Sequence, residues 1–163
     1  MSEISNYKNN FQDFVFALQD SYIEKLVYYE DLELTFDKAS LPFLFKYCNS
    51  TTIVTDKGNF LIHTAQTSFG YETFWIESTK SINKPTAEKV IKSKVKTVSI
   101  KNKYDDLPYK FSIELEEGKF TIYAADIYDD EDRKYVITLC DEMVFVFEDE
   151  LEADKFEASI IYA

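Results

Sequence analysis

The hydrophobic pattern changes period along the chain. In NNFQDFVFALQDSYIEKLVYYED, residues 9–31, the apolar positions Phe11, Phe14, Val15, Leu18, Tyr22, Leu26 and Tyr29 recur every three or four residues. That spacing places them on one face of a helix, with Asn9 or Asn10 available to cap its start. The alternation within FVFAL also fits a strand. Further on, Ser40 and Pro42 can open a short helix through LPFLFKYC, because proline is tolerated in a first helical turn.

From residue 52 the period becomes two. NFLIHTAQ and YETFWIES flank Ser68, Phe69 and Gly70, which predicts a hairpin in which Ile62 faces Ile76, His63 faces Trp75 and Thr64 faces Phe74. KPTAEKVIKS reads as a short helix opening near Pro85, and KVKTVSIKN as a strand. In YKFSIELEEGKFTIYAAD the apolar residues alternate on both sides of Glu117-Gly118, a two-residue turn with glycine to supply positive φ. The register this gives pairs Leu115 with Phe120, Ile113 with Ile122 and Phe111 with Ala124. KYVITLC and MVFVFED predict another hairpin around Asp141-Glu142, whose residues favour positive φ poorly. DELEADKFEAS predicts a closing helix, acid-rich where the helix dipole favours it, and SIIYA a terminal edge strand. The pattern shows no solenoid repeat and no linker. The expectation is one α+β domain over residues 1–163. An N-terminal amphipathic helix would pack on a mainly antiparallel, curved sheet of six or seven strands, with a short C-terminal helix.

Composition supports a packed core. Of 163 residues 45 % are hydrophobic and 17 % aromatic, enough for a chain of this length to fold without disulfides or metal. No segment has the unbroken apolar run of a membrane helix, and MSEISNYKNN lacks the basic-then-apolar order of a signal peptide. Cys48 and Cys140 are too few for a disulfide framework, so a reducing cytoplasm is the expected setting, although one bond between them fits the count.

Charge is distributed in blocks. The net value is −12, but residues 80–103 carry eight lysines against Glu88 alone, between two acidic regions. Arg133 is the single arginine, which leaves almost no capacity for bidentate phosphate recognition. The most concentrated acid lies in DIYDDEDRKY, residues 126–135. Extending the predicted register sets Asp105 and Asp106 opposite Asp130 and Asp129. The triplets Tyr104–Asp106 and Tyr128–Asp130 would then converge, with Tyr109, Asp126, Glu131 and Asp132 beside them. Such a cluster can be a solvated end, a pole that steers a basic partner, or a divalent-cation site. The alternating acids, central glycine and distant glutamate of an EF-hand loop are not together here.

Other chemistry is sparse. His63 is the only histidine, which rules out a multi-histidine metal site, and nothing in the spacing brings it to Cys48 or Cys140 as a base. No nucleophile elbow, Walker loop or dinucleotide fingerprint occurs. The basic block could meet phosphates, but it has neither arginine nor interleaved stacking aromatics, so nucleic acid is disfavoured. Basic and acidic surfaces could also complement each other between copies, which leaves self-association open. The reading that results is a non-enzymatic cytoplasmic interaction module, of inhibitor or immunity type, that presents its acidic, Tyr-rich surface to a basic protein. A domain binding a small apolar ligand between sheet and helix is the alternative, and an enzyme using His63 the third. No cofactor, metal ligand or catalytic residue is assigned.

Overall fold

A computed structural model describes residues 2–34, 36, 38, 41–129 and 135–160. The first helix, α1, spans Glu3–Leu18. Ser2 caps it, its Oγ accepting from the Ser5 N–H at 3.2 Å, so the start lies before the asparagines that the sequence suggested. Phe11, Phe14 and Leu18 are its buried face. The helix stops there because Asp20 takes φ 61° and Ser21 turns back, its Oγ donating to the Leu18 carbonyl at 2.7 Å.

The second half of the expected helix is therefore a strand, β1, Tyr22–Glu30. Leu18, Tyr22, Leu26 and Tyr29 do sit at helical spacing, but IEKLVYYE is rich in β-branched and aromatic residues. Pairing on both edges decides the matter. β1 is antiparallel to β2 (Lys46–Thr55) on one side and to β5 (Ala87–Asn102) on the other. Two more predicted helices are corrected in the same way. Residues 41–45 are non-helical and lead into β2, while AEKVIKS of the segment KPTAEKVIKS is the first half of β5.

Between β2 and β5 lie β3 (Gly58–Gln66) and β4 (Glu72–Thr79), whose register is the predicted one: Ile62 opposite Ile76, His63 opposite Trp75, Thr64 opposite Phe74. After β5 come β6 (Pro108–Leu115) and β7 (Gly118–Tyr128). Here the register slips by two residues from the prediction, pairing Ile113 with Phe120 and Phe111 with Ile122. The turn is Glu116-Glu117, and Gly118 follows it at φ 110°. A slip of two keeps every side chain on its predicted face.

β8 (Val136–Leu139) and β9 (Met143–Phe147) do not pair with each other as a hairpin. Both run antiparallel to β7, so they point the same way. At their junction Cys140 adopts φ 58°, and its N–H donates to the Ala124 carbonyl at 2.8 Å. The last helix, α2, is Glu150–Ser159, capped by Asp149 and close to the expected segment. The terminal strand predicted in SIIYA falls mostly outside the described residues.

Among the described residues the sheet has nine strands, more than the sequence suggested, and every pairing is antiparallel. The path β1-β5-β6-β7-β9-β2 returns to β1, and β3 and β4 extend from β2. The class is α+β, as the periodicities implied. Phe11 and Phe14 of α1 fill one side, stacking edge-on against Phe111 with centroids 5.5 and 5.6 Å away. A second cluster lies on the other side of β7 and β9, where Tyr123, Phe145 and Phe147 meet Phe43, Phe45 and Phe156. β9 is buried on both faces: Val144 and Val146 point to the first cluster, Met143, Phe145 and Phe147 to the second.

Candidate functional site

An open pocket of about 400 Å³ lies where the start of β4, the β5–β6 turn, the end of β7 and the β8–β9 junction meet. Tyr71, Tyr104 and Tyr128 line it together with Glu72, Asp141 and Glu142. Each segment is positioned by backbone bonds. The Thr67 N–H donates to the Tyr71 carbonyl at 2.9 Å and closes the β3–β4 loop. The Glu72 N–H donates to the Cys140 carbonyl at 3.0 Å, which ties β4 to the β8–β9 junction. Tyr104–Asp106 forms one 3₁₀ turn, in which Asp105 and Asp106 take φ 52° and 58°; aspartate tolerates this conformation better than most residues.

The tyrosines and acids are coupled in pairs. The Tyr71 hydroxyl donates to Asp105, and its ring lies 5.1 Å from that of Tyr104. The Tyr128 hydroxyl donates to Asp141 Oδ2 at 2.9 Å. Burial and these carboxylate partners raise both phenols above the ordinary tyrosine range, so they act as donors at neutral pH. Glu72 is the most perturbed acid. Partial burial, then the charges of Asp141 and Glu142, push its carboxyl up to about 7. Lys103 Nζ sits over the Tyr104 ring, 5.5 Å from its centroid.

The residues expected to form the site separate into groups. Tyr104 and Tyr128 reach the same pocket. Asp105 is engaged by Tyr71, whereas Asp106 stands exposed, accepting from Asn102 Nδ2 at 2.9 Å and lying 3.8 Å from Lys8 Nζ. Asp129 is exposed beyond the end of β7. Asp126 is buried at 4 % exposure, so it offers no surface charge. It accepts from the Tyr47 hydroxyl at 2.6 Å and from the Ile127 N–H at 2.8 Å, and desolvation holds its carboxyl above the usual range. Tyr109 is half-buried against the second aromatic cluster. Asp130, Glu131 and Asp132 lie outside the described residues.

Sequence reasoning missed Tyr71, Glu72, Asp141 and Glu142. No local motif marks them, since their proximity comes from β4 and the β8–β9 junction meeting across the fold. Cys140 also lines the pocket, but burial raises its thiol to about 11, which keeps it protonated. Cys48 is buried as well, and both cysteines are free. His63 lies elsewhere, on β3, with Nε2 3.5 Å from Glu77. No group of three or more histidine, cysteine or acidic residues among those described could hold a metal ion. No helix among them is long and apolar enough to cross a membrane. No protein-family model matches the chain, and no curated protein or solved structure is significantly similar to it.

Proposed function

We propose that this chain is a non-enzymatic interaction module whose tyrosine-rimmed acidic pocket receives a basic side chain of a partner protein. The observation that carries this reading is the convergence of Tyr71, Tyr104 and Tyr128 with Glu72, Asp141 and Glu142 from separate elements. Aromatic faces and carboxylates attract the same group, an ammonium or guanidinium, and attract it more strongly where water is partly excluded. Lys103 over Tyr104 is an intramolecular instance of that contact. Asp106 and Asp129 extend the negative field outward and would raise the rate at which a basic partner arrives. Masking a basic surface is the work of an inhibitor or immunity-type protein, and buried free thiols suit a cytoplasmic setting.

Nothing specific favours the apolar-ligand alternative, because the space between α1 and the sheet is filled by Phe11, Phe14, Phe74 and Phe111. The test is capture from source-cell lysate on the immobilised chain, eluted in steps of salt. A basic protein released at moderate salt, and lost with Asp141→Asn/Glu142→Gln, is the expected result. Capture that ignores both salt and the double variant would remove the pocket from the account.

A further inference from the structure

A second pocket, of about 340 Å³, lies where β2 begins, β9 ends and α2 starts. Leu44, Phe45 and Val146 give it apolar walls, and it shares no lining residue with the tyrosine pocket. Its volume is at the small end of the range for ligand pockets, roughly 300–1,000 Å³.

Most of the charged groups around it are already engaged. Glu148 accepts from the Tyr28 hydroxyl, and Asp149 caps α2 by accepting from the Leu151 N–H at 2.8 Å. Glu152 accepts from the Leu44 N–H at 3.0 Å and pairs with Lys155 at 3.2 Å. Lys46 lies 3.8 Å from Glu30, with its Nζ 5.5 Å from the centroid of the Tyr28 ring. Lys38 is the exception. It is half-buried, forms no ion pair among the described residues, and sets its Nζ 4.9 Å from the centroid of the Phe45 ring. Burial pulls its ammonium below the ordinary lysine range; Glu30 draws it back up, and the Lys46 charge pushes it down again. An amine desolvated against an apolar wall, beside a second cation, is the arrangement that frees a lysine lone pair for attack on a carbonyl carbon.

We propose that this pocket captures a small aliphatic aldehyde as an imine on Lys38 Nζ. The neutral amine attacks the carbonyl carbon, the C–N bond forms, and the π pair of the carbonyl moves to its oxygen. A proton passes from nitrogen to that oxygen. The nitrogen lone pair then expels the hydroxyl, which takes one proton from solvent and leaves as water. The product is a protonated imine, and no oxidant or reductant is consumed. Leu44, Phe45 and Val146 would cover the alkyl group. The neighbouring acids decide between electrophiles. Acylation would leave a neutral amide beside Glu148, Asp149 and Glu152, whereas the protonated imine keeps a positive charge that they stabilise. A free anion fits poorly for the same reason. This capture is stoichiometric and does not depend on the tyrosine pocket.

The probe is 3-methylbutanal, added to the full chain at pH 7 with sodium cyanoborohydride, and the reduced adducts are located by peptide mass spectrometry. Lys38 should be labelled at least tenfold faster than the mean of the other lysines. That selectivity should be at least threefold greater than the selectivity formaldehyde shows, because formaldehyde has no alkyl group to seat. Leu44→Ser, a change at an exposed residue, should reduce selectivity for 3-methylbutanal and leave that for formaldehyde unchanged. Lys46→Met, checked for folding by circular dichroism, should lower Lys38 labelling at least threefold by removing the neighbouring charge. The proposal is overturned if Lys38 is labelled no faster than other lysines, or if Leu44→Ser affects both aldehydes alike. Equal selectivity toward acetyl phosphate would overturn it in favour of an acylation site.

Discussion

The tyrosine pocket and the lysine strand carry opposite charge, and they were built in opposite ways. The pocket's acids come from separate elements, stand close together, and lean on phenol hydroxyls and on one another, so that Glu72 holds its proton to about 7. The lysines come from one contiguous strand, are spread along it, and mostly face water without partners. Charge that has been partly desolvated responds to structure and pH. Charge that remains solvated responds chiefly to salt.

That contrast can be broken most severely from below the pocket. Phe74 seats β4 against Phe11 and Phe111 and so holds Tyr71 and Glu72 in place. Phe74→Ala is expected to cost about 3–5 kcal/mol in chemical denaturation. A loss under about 1 kcal/mol would mean that the seat collapses without a cavity. Next is Tyr47→Phe, which deprives buried Asp126 of a donor and should cost about 1–3 kcal/mol by the same measurement. An unchanged midpoint would show that Asp126 is satisfied without the phenol.

Glu72 gives a smaller effect with a definite pH signature. Its folded-state value lies above the unfolded one, so its contribution to stability is complete below about pH 4.5 and is lost as pH rises through about 7. Stability of the wild type should therefore decline across that window by about 1 kcal/mol from this group after allowing for solvent screening. In Glu72→Gln that part of the decline should vanish. If both proteins trace the same curve, Glu72 titrates normally. Capture of a basic partner should strengthen over the same window, because the ionised carboxylate is the attractive form. The smallest effect is expected at the strand, where Lys94→Glu/Lys101→Glu should shift stability by no more than about 0.5 kcal/mol. A large loss in that variant would show these lysines to be part of the fold.

The two regions also differ in how far the sequence discloses them. The lysine block is visible as a run of eight like charges between residues 80 and 103, yet its first half looked helical because KPTAEKVIKS has a proline start and no strict alternation. Only pairing with β1, distant in sequence, makes it a strand. The β3–β4 hairpin was legible in full, since alternation and a Gly70 loop specify one register. The β6–β7 register was legible in its faces but not its offset, because a turn at Glu116-Glu117 followed by Gly118 competes with one at Glu117-Gly118 and both preserve alternation. Of the pocket, Tyr104 and Tyr128 were readable as neighbours across that hairpin. Tyr71, Glu72 and Asp141 were not, because they arrive through contacts that no local period encodes.

The closed pairing path has a consequence in time. Residue 28 must find residue 87, and residue 48 must find residue 144, before the ring β1-β5-β6-β7-β9-β2 is complete. Such distant contacts give little stabilisation until long loops have closed, and domains dominated by them fold in roughly milliseconds to seconds. The β3–β4 and β6–β7 hairpins can form early, since each is joined by a short turn. Until β1 inserts between β2 and β5, those two strands keep open flanks. A chain in which β1 is displaced would expose both of those flanks as templates for pairing with other chains, so the first thirty residues shield the sheet as well as complete it.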